Sequence, residues 1–344
     1  MLLILHGAKK NVGDFLIRER GLALIRHLRP DHEIVLQDRW RALDPNLMRR
    51  ASAVVLCGGP GLASHFYPRV FPLIADLQDV STPILPVALG WSGHPAEQPE
   101  QFGFDEPSLG ALREIHTRIG WSGVRDDLSL GVMERARVGN VRRTGCVAWY
   151  HLPSLGKPPA VGPVVRRLVV TPPADMPRLF RETSRLLRAI ARRYPNAERF
   201  CVFHRGLLPG NGTRQKEAMG VSALAVVARA LGYKIVDAAY RLSSIDFYEA
   251  GDLHVGYRVH AHLSFLSARR PSLLISEDGR GIGQAATLGD AYGFRAGEPG
   301  LVGRVMAAIH AEQQDGYPAL YRAVEEIERT WPVMRSTLEQ LPDR

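Results

Sequence analysis

The sequence predicts an α/β protein of two Rossmann-like domains, each with a parallel sheet, and a cleft between them. Three observations predict it. The chain has 344 residues, more than one hydrophobic core usually organises. Short apolar runs alternate with longer amphipathic ones, the pattern of strands and crossover helices. A stretch rich in Pro and Gly, His151–Pro163, interrupts the alternation, which then restarts. The boundaries follow as residues 1–150 for the first domain, 151–165 for the linker and 166–310 for the second domain, with terminal helices over 311–344.

In the first half, strands are expected at Leu2–His6, Glu33–Gln37, Ala53–Cys57, Ile84–Ala88 and Ser122–Arg125. Helices are expected at Phe15–Leu28, Val70–Leu77, Ser108–Ile119 and Leu128–Ala136. In the second half, strands read as Leu168–Thr171, Arg199–Phe203, Lys234–Val236, Leu253–Gly256 and Leu273–Ser276. Helices read as Arg178–Arg193, Lys216–Leu231, Ile245–Ala250 and Val259–Ala268, with Asp175 and Ser243 as N-caps. From Leu301 onward the pattern is helical; Pro332 is expected to break the last segment, which folds back across the hinge onto the first domain.

Hydrophobic residues make up 45% and charged residues 23%, which excludes a disordered chain, a coiled coil and a collagen-like repeat. No apolar run approaches the ~20 residues of a membrane span. The formal charge is +9, nearly all of it from Arg. Arg suits bidentate recognition of carboxylates and phosphates. The arginines read as dispersed rather than striped along one helix, so a nucleic-acid reader is not expected. The three cysteines, Cys57, Cys146 and Cys201, show no paired spacing. A reducing cytoplasm is the expected compartment.

In open α/β sheets, ligands bind beyond the carboxyl ends of the strands, which directs attention to those turns. The first strand ends in His6-Gly7, then Asn11-Val12-Gly13-Asp14 before a helix; Asn11 and Gly13 offer backbone N–H groups to an anion. Asp14 reads either as a helix cap or as a base at the cleft mouth. The third strand ends in Cys57-Gly58-Gly59-Pro60-Gly61, a glycine-rich turn without the Gly-Lys-Ser/Thr of a phosphate loop. Gly281-x-Gly283-x-x-Ala286 fits a dinucleotide pattern only nominally, with no acidic residue about 20 positions on. Arg125 follows the fifth strand and reads either as an anion holder or as a surface residue paired to Asp126, with Asp127 capping the next helix. Arg258 and His260 stand where a strand ending near Tyr257 turns into a helix. There the helix dipole favours an anion, and His is the side chain best suited to exchange a proton near neutrality. His260 and His262 point in different directions on a helix, so they do not chelate a metal together. His65 and His204 are candidate acceptor-binding side chains.

Taken in order, Gly7…Asn11-Val12-Gly13-Asp14, Gly58-Gly59-Pro60-Gly61, Val124-Arg125-Asp126-Asp127-Leu128-Ser129, Arg258-Val259-His260-Ala261 and the strand Pro271–Ser276 resemble the polysaccharide pyruvyl transferase family. The resemblance implies a GT-B-like pair of domains. It implies transfer of a pyruvyl group from phosphoenolpyruvate to hydroxyls of a glycan or lipid-linked sugar, with release of phosphate and no nucleotide, redox cofactor or metal. On that reading Arg125, Arg258 and Arg280, together with Gly58, Gly59, Gly61, Asn11 and Gly13, bind the donor. His260 is the general acid and Asp14 the base. A lipid-linked acceptor would bring the chain to the inner membrane face, although no anchor is visible.

The sequence departs from the family pattern at three places. Gly145-Cys146-Val147 stands where Gly-Asp-Pro is usual, Arg280 stands near a usual Lys, and Pro60 interrupts the glycine run. Two other functions compete. A nucleotide-sugar glycosyltransferase would often carry two Glu residues eight apart, but Glu277 is followed eight later by Ala285. A non-catalytic relative would leave Arg125, Arg258 and His260 apart.

Overall fold

The computed structural model describes residues 1–73, 77, 81–93, 98–211 and 213–343. The strands are β1 Leu2–His6, β2 Ile34–Asp38, β3 Ala53–Cys57, β4 Ile84–Val87, β5 Ser122–Val124, β6 Val141–Arg143, β7 Arg167–Thr171, β8 Glu198–Phe203, β9 Lys234–Asp237, β10 Leu253–Gly256 and β11 Ser272–Leu274. The helices are α1 Val12–Leu28, α2 Pro45–Arg50, α3 Glu106–His116, α4 Asp127–Arg135, α5 Met176–Arg193, α6 Gln215–Ala230, α7 Val259–Ser267, α8 Gly279–Thr287, α9 Leu301–Gln314 and α10 Pro318–Leu338.

The first sheet runs β2-β1-β3-β4, all parallel. The parallel pair β5-β6 continues it through a single bridge from Leu89 to Val124. The second sheet runs β11-β10-β7-β8-β9, also parallel throughout. Side chains alternate across each strand. Leu168 and Val170 therefore enter the core under α5, α6 and α9, while Val169 enters the one under α7. Such doubly covered strands must be apolar on both faces, which is why LLIL, AVVLC and RLVVT read as near-continuous apolar runs.

The halves are joined through side chains. Val12, the first residue of α1, lies in the core of the second sheet beside Ala261 and Phe265 of α7. The Lys10 ammonium donates to the carbonyls of Leu208 (3.0 Å) and Gly210 (2.7 Å) and to Thr213 Oγ1 (3.2 Å). Helix α10 lays Ile327, Met334 and Leu338 into the core that holds Leu2, Ile4 and α1, and Trp121 Nε1 donates to Thr337 Oγ1 at 2.9 Å.

Several local expectations are corrected. α1 begins at Val12, not Phe15, so Asp14 is in the first turn and Asn11 holds the cap position. Asp126, not Asp127, caps α4, accepting from the Ser129 N–H at 2.8 Å. Asp175 precedes α5 but turns its carboxylate to Arg178 instead of the helix N–H groups. Leu242–Ala250 is a 3-10 segment containing Ser243 rather than an α-helix capped by it; burying Ile245 and Tyr248 against α7 sets its conformation. α10 continues through Pro332 because buried residues on both sides of it, Ile327 and Met334, pack into one core. The helix expected over Val70–Leu77 lies partly outside the described residues; Phe66–Val70 forms a π-turn. The arginines are not evenly dispersed: α5 carries a stripe of them. Among the described residues, no helix is long and apolar enough to cross a membrane.

Candidate functional site

The carboxyl ends of strands from both sheets converge on one crevice. It is lined by Asn11 after β1, Arg125 after β5, His204 after β8, Tyr257 to His260 after β10, and Glu277, Asp278 and Arg280 after β11. Asn11, Arg125, His204, Arg258, His260 and Arg280, scattered over the sequence, are thus brought together.

The first turns of α1 and α7 meet here, so two positive helix ends face one space. Gly13 makes the approach possible. A Cβ there would lie 2.7 Å from His260 Cγ and 2.9 Å from its Cβ, with Nδ1 closer still. The buried His260 ring makes no hydrogen bond among the described residues. Asn11 Nδ2 donates to Asp14 Oδ2 at 3.3 Å, holding that carboxyl beside the same turn.

The three arginines are not equivalent. Arg125 Nε donates to Asp126 at 3.0 Å and its Nη2 to the Trp91 carbonyl. Arg280 forks onto Asp278, which also caps α8. Arg258 donates Nη2 to the Pro173 carbonyl at 3.0 Å, keeps Nε buried without a partner, and forms no ion pair among the described residues. It is therefore the cation best able to take an incoming anion. Glu277 is committed to the backbone, accepting from Ala174 N–H at 2.8 Å and Asp175 N–H at 3.2 Å.

A buried chain braces this turn. The Arg258 N–H donates to Thr171 Oγ1 (3.3 Å), which bonds His254 Nε2 (2.8 Å); His254 Nδ1 bonds Ser272 Oγ (2.7 Å), and Ser272 Oγ bonds His262 Nδ1 (2.8 Å). His262 is thus a structural partner rather than a metal ligand. Among the described residues, no three His, Cys, Asp or Glu side chains are placed to hold a metal ion.

Burial, reinforced by Arg280 and Arg125, lowers His260 to about 3, so the ring is neutral near pH 7. Burial raises Asp14, against the pull of Arg39, Asn11, Arg280 and Arg205. Burial pushes His204 well down, and its Nε2 bonds the Tyr248 hydroxyl at 2.8 Å. His204 is therefore a buried wall of the crevice rather than an exposed contact for an acceptor. Burial alone takes His262 to about 3.

These histidines fix a sign. Each is depressed below the ordinary ~6.5 of the unfolded chain, so between 6.5 and the folded value the unfolded state binds more protons and stability falls as pH falls. The raised Asp14 acts in the opposite sense in its own window above 3.8. His260, His204, His262 and His254, which burial lowers likewise, outweigh one carboxyl, so the melting temperature should fall between about pH 7 and about pH 5. A melting curve that stays level or rises over that range contradicts it.

Other sequence candidates lie elsewhere. Gly58 and Gly59 have left-handed φ of 58° and 78°, and their turn is spent on packing. Gly58 N–H donates to Val87 O at 2.8 Å, and Gly61 N–H to Gly59 O at 2.9 Å. Gly58, Gly59 and Gly61 do not line the crevice. His65 is half-exposed and bonds Asp105 at 2.6 Å, away from it. Gly281 and Gly283 admit close packing, since Cβ atoms there would meet Ser276 and Asp126; Gln284 beside them donates to the Arg125 carbonyl at 3.0 Å. Sequence reading missed Gln284, Lys10, Arg205 and Arg39. Arg205 follows His204 and lies near enough to Asp14 and Arg258 to shift both. Arg39 is buried with its Nε unpartnered, close to Gly7 and Asp14. A lone Arg at a strand end was their only signal.

The profile of the polysaccharide pyruvyl transferase family matches residues 11–207, more than half of the chain. No curated protein matches the sequence. Solved structures of low identity share the fold. A UDP-GlcNAc 2-epimerase from Neisseria meningitidis bound to UDP-GlcNAc aligns with TM-score 0.54 at 12% identity, covering 98% of this chain and 100% of that one. The S. aureus MnaA–UDP structure aligns with TM-score 0.54 at 9% identity over 96% and 92%. Sucrose-phosphate synthase from Thermosynechococcus elongatus aligns with TM-score 0.54 at 10% identity over 99% and 98%. The fold is thus GT-B-like, as the sequence resemblance implied.

Proposed function

Since the chain belongs to the polysaccharide pyruvyl transferase family, and so is a glycan-modifying transferase, we propose that it moves a pyruvyl group from phosphoenolpyruvate to two hydroxyls of a sugar in this crevice. The observation that carries the proposal is Arg258, with a buried unpaired Nε, beside His260 at the first turn of α7, with Asp14 in the first turn of α1 near enough to Arg280 to feel its charge.

The donor carries a carboxylate and a phosphate. Arg258 and the free N–H groups of α7 take one anionic group; Arg280 takes the other by sharing its fork with Asp278. Arg125 supports them from the opposite lobe. His260 delivers a proton to the methylene carbon, and positive charge develops at the carbon bearing phosphate. A sugar hydroxyl oxygen attacks that carbon and passes its proton to Asp14. A second hydroxyl then forms the other C–O bond, passing its proton to the now neutral His260, and the bond from carbon to the phosphate oxygen breaks with its electron pair, releasing phosphate. The product is a cyclic ketal carrying a free carboxylate.

His260 is by itself neutral near pH 7, so its proton comes with the donor. Burial first, and then the field of Arg280 and Arg125, holds the imidazole low; the donor's negative charge offsets that field and adds its own attraction for the imidazolium. Binding of phosphoenolpyruvate should therefore take up protons near neutral pH, seen by calorimetry as a heat that depends on the buffer's ionisation enthalpy; a buffer-independent heat removes His260 as the acid. The function itself is tested by phosphate release from phosphoenolpyruvate with a panel of glycans and lipid-linked sugars. Acceptor-dependent release is expected. Turnover of nucleotide sugars without it would assign the chain to glycosyl transfer. Catalysis of this kind places the protein where its acceptor is made, at the cytoplasmic face of the membrane when that acceptor is lipid-linked.

A further inference from the structure

The outer face of the second lobe carries a feature that the crevice does not use. α5 sets Arg178, Arg181, Arg185, Arg188 and Arg192 at alternating steps of three and four, one stripe about 21 Å long at 1.5 Å per residue. All five are exposed, while Leu179, Leu186 and Ile190 fill the core on the other side. Arg178 pairs with Asp175. Among the described residues, Arg181, Arg185, Arg188 and Arg192 make no hydrogen bond or ion pair. Other arginines, Arg143, Arg280 and Arg335 among them, do pair with carboxylates.

α6 packs beside α5 on the same face of the sheet. Its solvent side exposes Met219 (67%) and Val226 (69%), with Lys216 and Arg229 exposed at either end. A strip of unpartnered guanidinium groups thus lies one helix away from an apolar strip bounded by cations.

We propose that this α5–α6 face docks the protein on an anionic lipid surface. Unpaired cations call for an anionic partner, and charge complementarity selects acidic headgroups. Met219 and Val226 add apolar area that reaches the acyl boundary, while long cationic stems cover it and keep their charges at the phosphates. No exposed position on either helix is aromatic, so nothing stacks bases as single-stranded nucleic acid requires. The stripe begins where Pro173 and Ala174 touch Arg258 and Glu277. Docking therefore sets at the lipid surface the helix whose N-terminal end adjoins the crevice. The docking surface itself does not depend on the identity of the donor.

The test is co-sedimentation of the full chain with vesicles of phosphatidylcholine alone or with about 30% phosphatidylglycerol, an anionic lipid of the kind that attracts basic patches. Binding to the anionic vesicles alone is expected, weakening as salt rises. The variant R181Q/R185Q/R188Q should lose about 100-fold in partition, at about fivefold per cation removed. M219S/V226S should lose several-fold. Both should melt like the parent, since these side chains are exposed. Equal binding to neutral vesicles, unchanged binding of the triple variant, or binding only to soluble polyanions such as nucleic acid or an acidic glycan overturns the proposal. Because lipid binding is read without any substrate, its failure is distinguishable from failure of the pyruvyl-transfer reading.

Discussion

Arg258→Ala and His260→Ala should each cost about 10²–10⁴-fold in phosphate release, the range of a positioned acid or charged anchor, with different kinetic signatures. Among the described residues Arg258 is the crevice arginine without a carboxylate partner, so its loss should raise the KM for phosphoenolpyruvate as well as lower kcat. Arg258→Lys should recover only part of this, because an ammonium keeps the charge and loses the planar fork. His260 acts on the carbon rather than on the anionic groups, so its loss should fall mainly on kcat. It should also abolish the proton uptake that accompanies donor binding. Neither change should unfold the protein: His260 forms no hydrogen bond among the described residues, and Arg258 gives one to a carbonyl. Full activity in both variants would remove them from the mechanism.

Gly13→Ala is the second change with a large expected effect, and it touches no substrate. The added methyl would overlap the His260 ring, reaching 2.7 Å from Cγ and 2.9 Å from Cβ. The ring must swing, or the first turns of α1 and α7 must part. Overpacking of this kind costs about 1–3 kcal/mol. Activity should fall nearly as far as in His260→Ala. The diagnostic is coupling: in a His260→Ala background two of the three crowded atoms are gone, so the stability cost of Gly13→Ala should shrink. Independent costs, measured by denaturant unfolding of the four proteins, would show that Gly13 does not set the position of His260.

Much of the architecture was legible because parallel strands buried on both faces must be apolar and short, and their helices amphipathic. Glu198–Phe203 and Leu253–Gly256 sit within a residue of where their patterns put them. Local rules failed where tertiary packing outbid them. Pro332 marks a helix end by propensity, yet the core around Ile327 and Met334 carries α10 through it. The arginines of α5 look scattered until helical spacing is applied. At the site, Arg125, Arg258, Asn11 and His260 were identifiable from their places after strands, because a strand's carboxyl end is where an open sheet leaves room for ligand, and Arg280 from the family resemblance. Arg39, Arg205, Lys10 and Gln284 were not, since what marks them is the company they keep across the lobes.

By itself, the order of residues determined the alternation of strands and helices, the turns able to carry charge into a cleft, and the family motifs. Those depend on near neighbours and on backbone preference. Only the tertiary structure decided which charges remain available: Asp126 and Asp278 engage Arg125 and Arg280, while Arg258 keeps a buried unpaired donor. It also decided that Gly13 lies against a histidine 247 residues away and that Gly58–Gly61 serves packing. Ion pairing and close contact depend on distances of a few ångströms between remote segments, and a linear pattern carries no such distances until the core has packed.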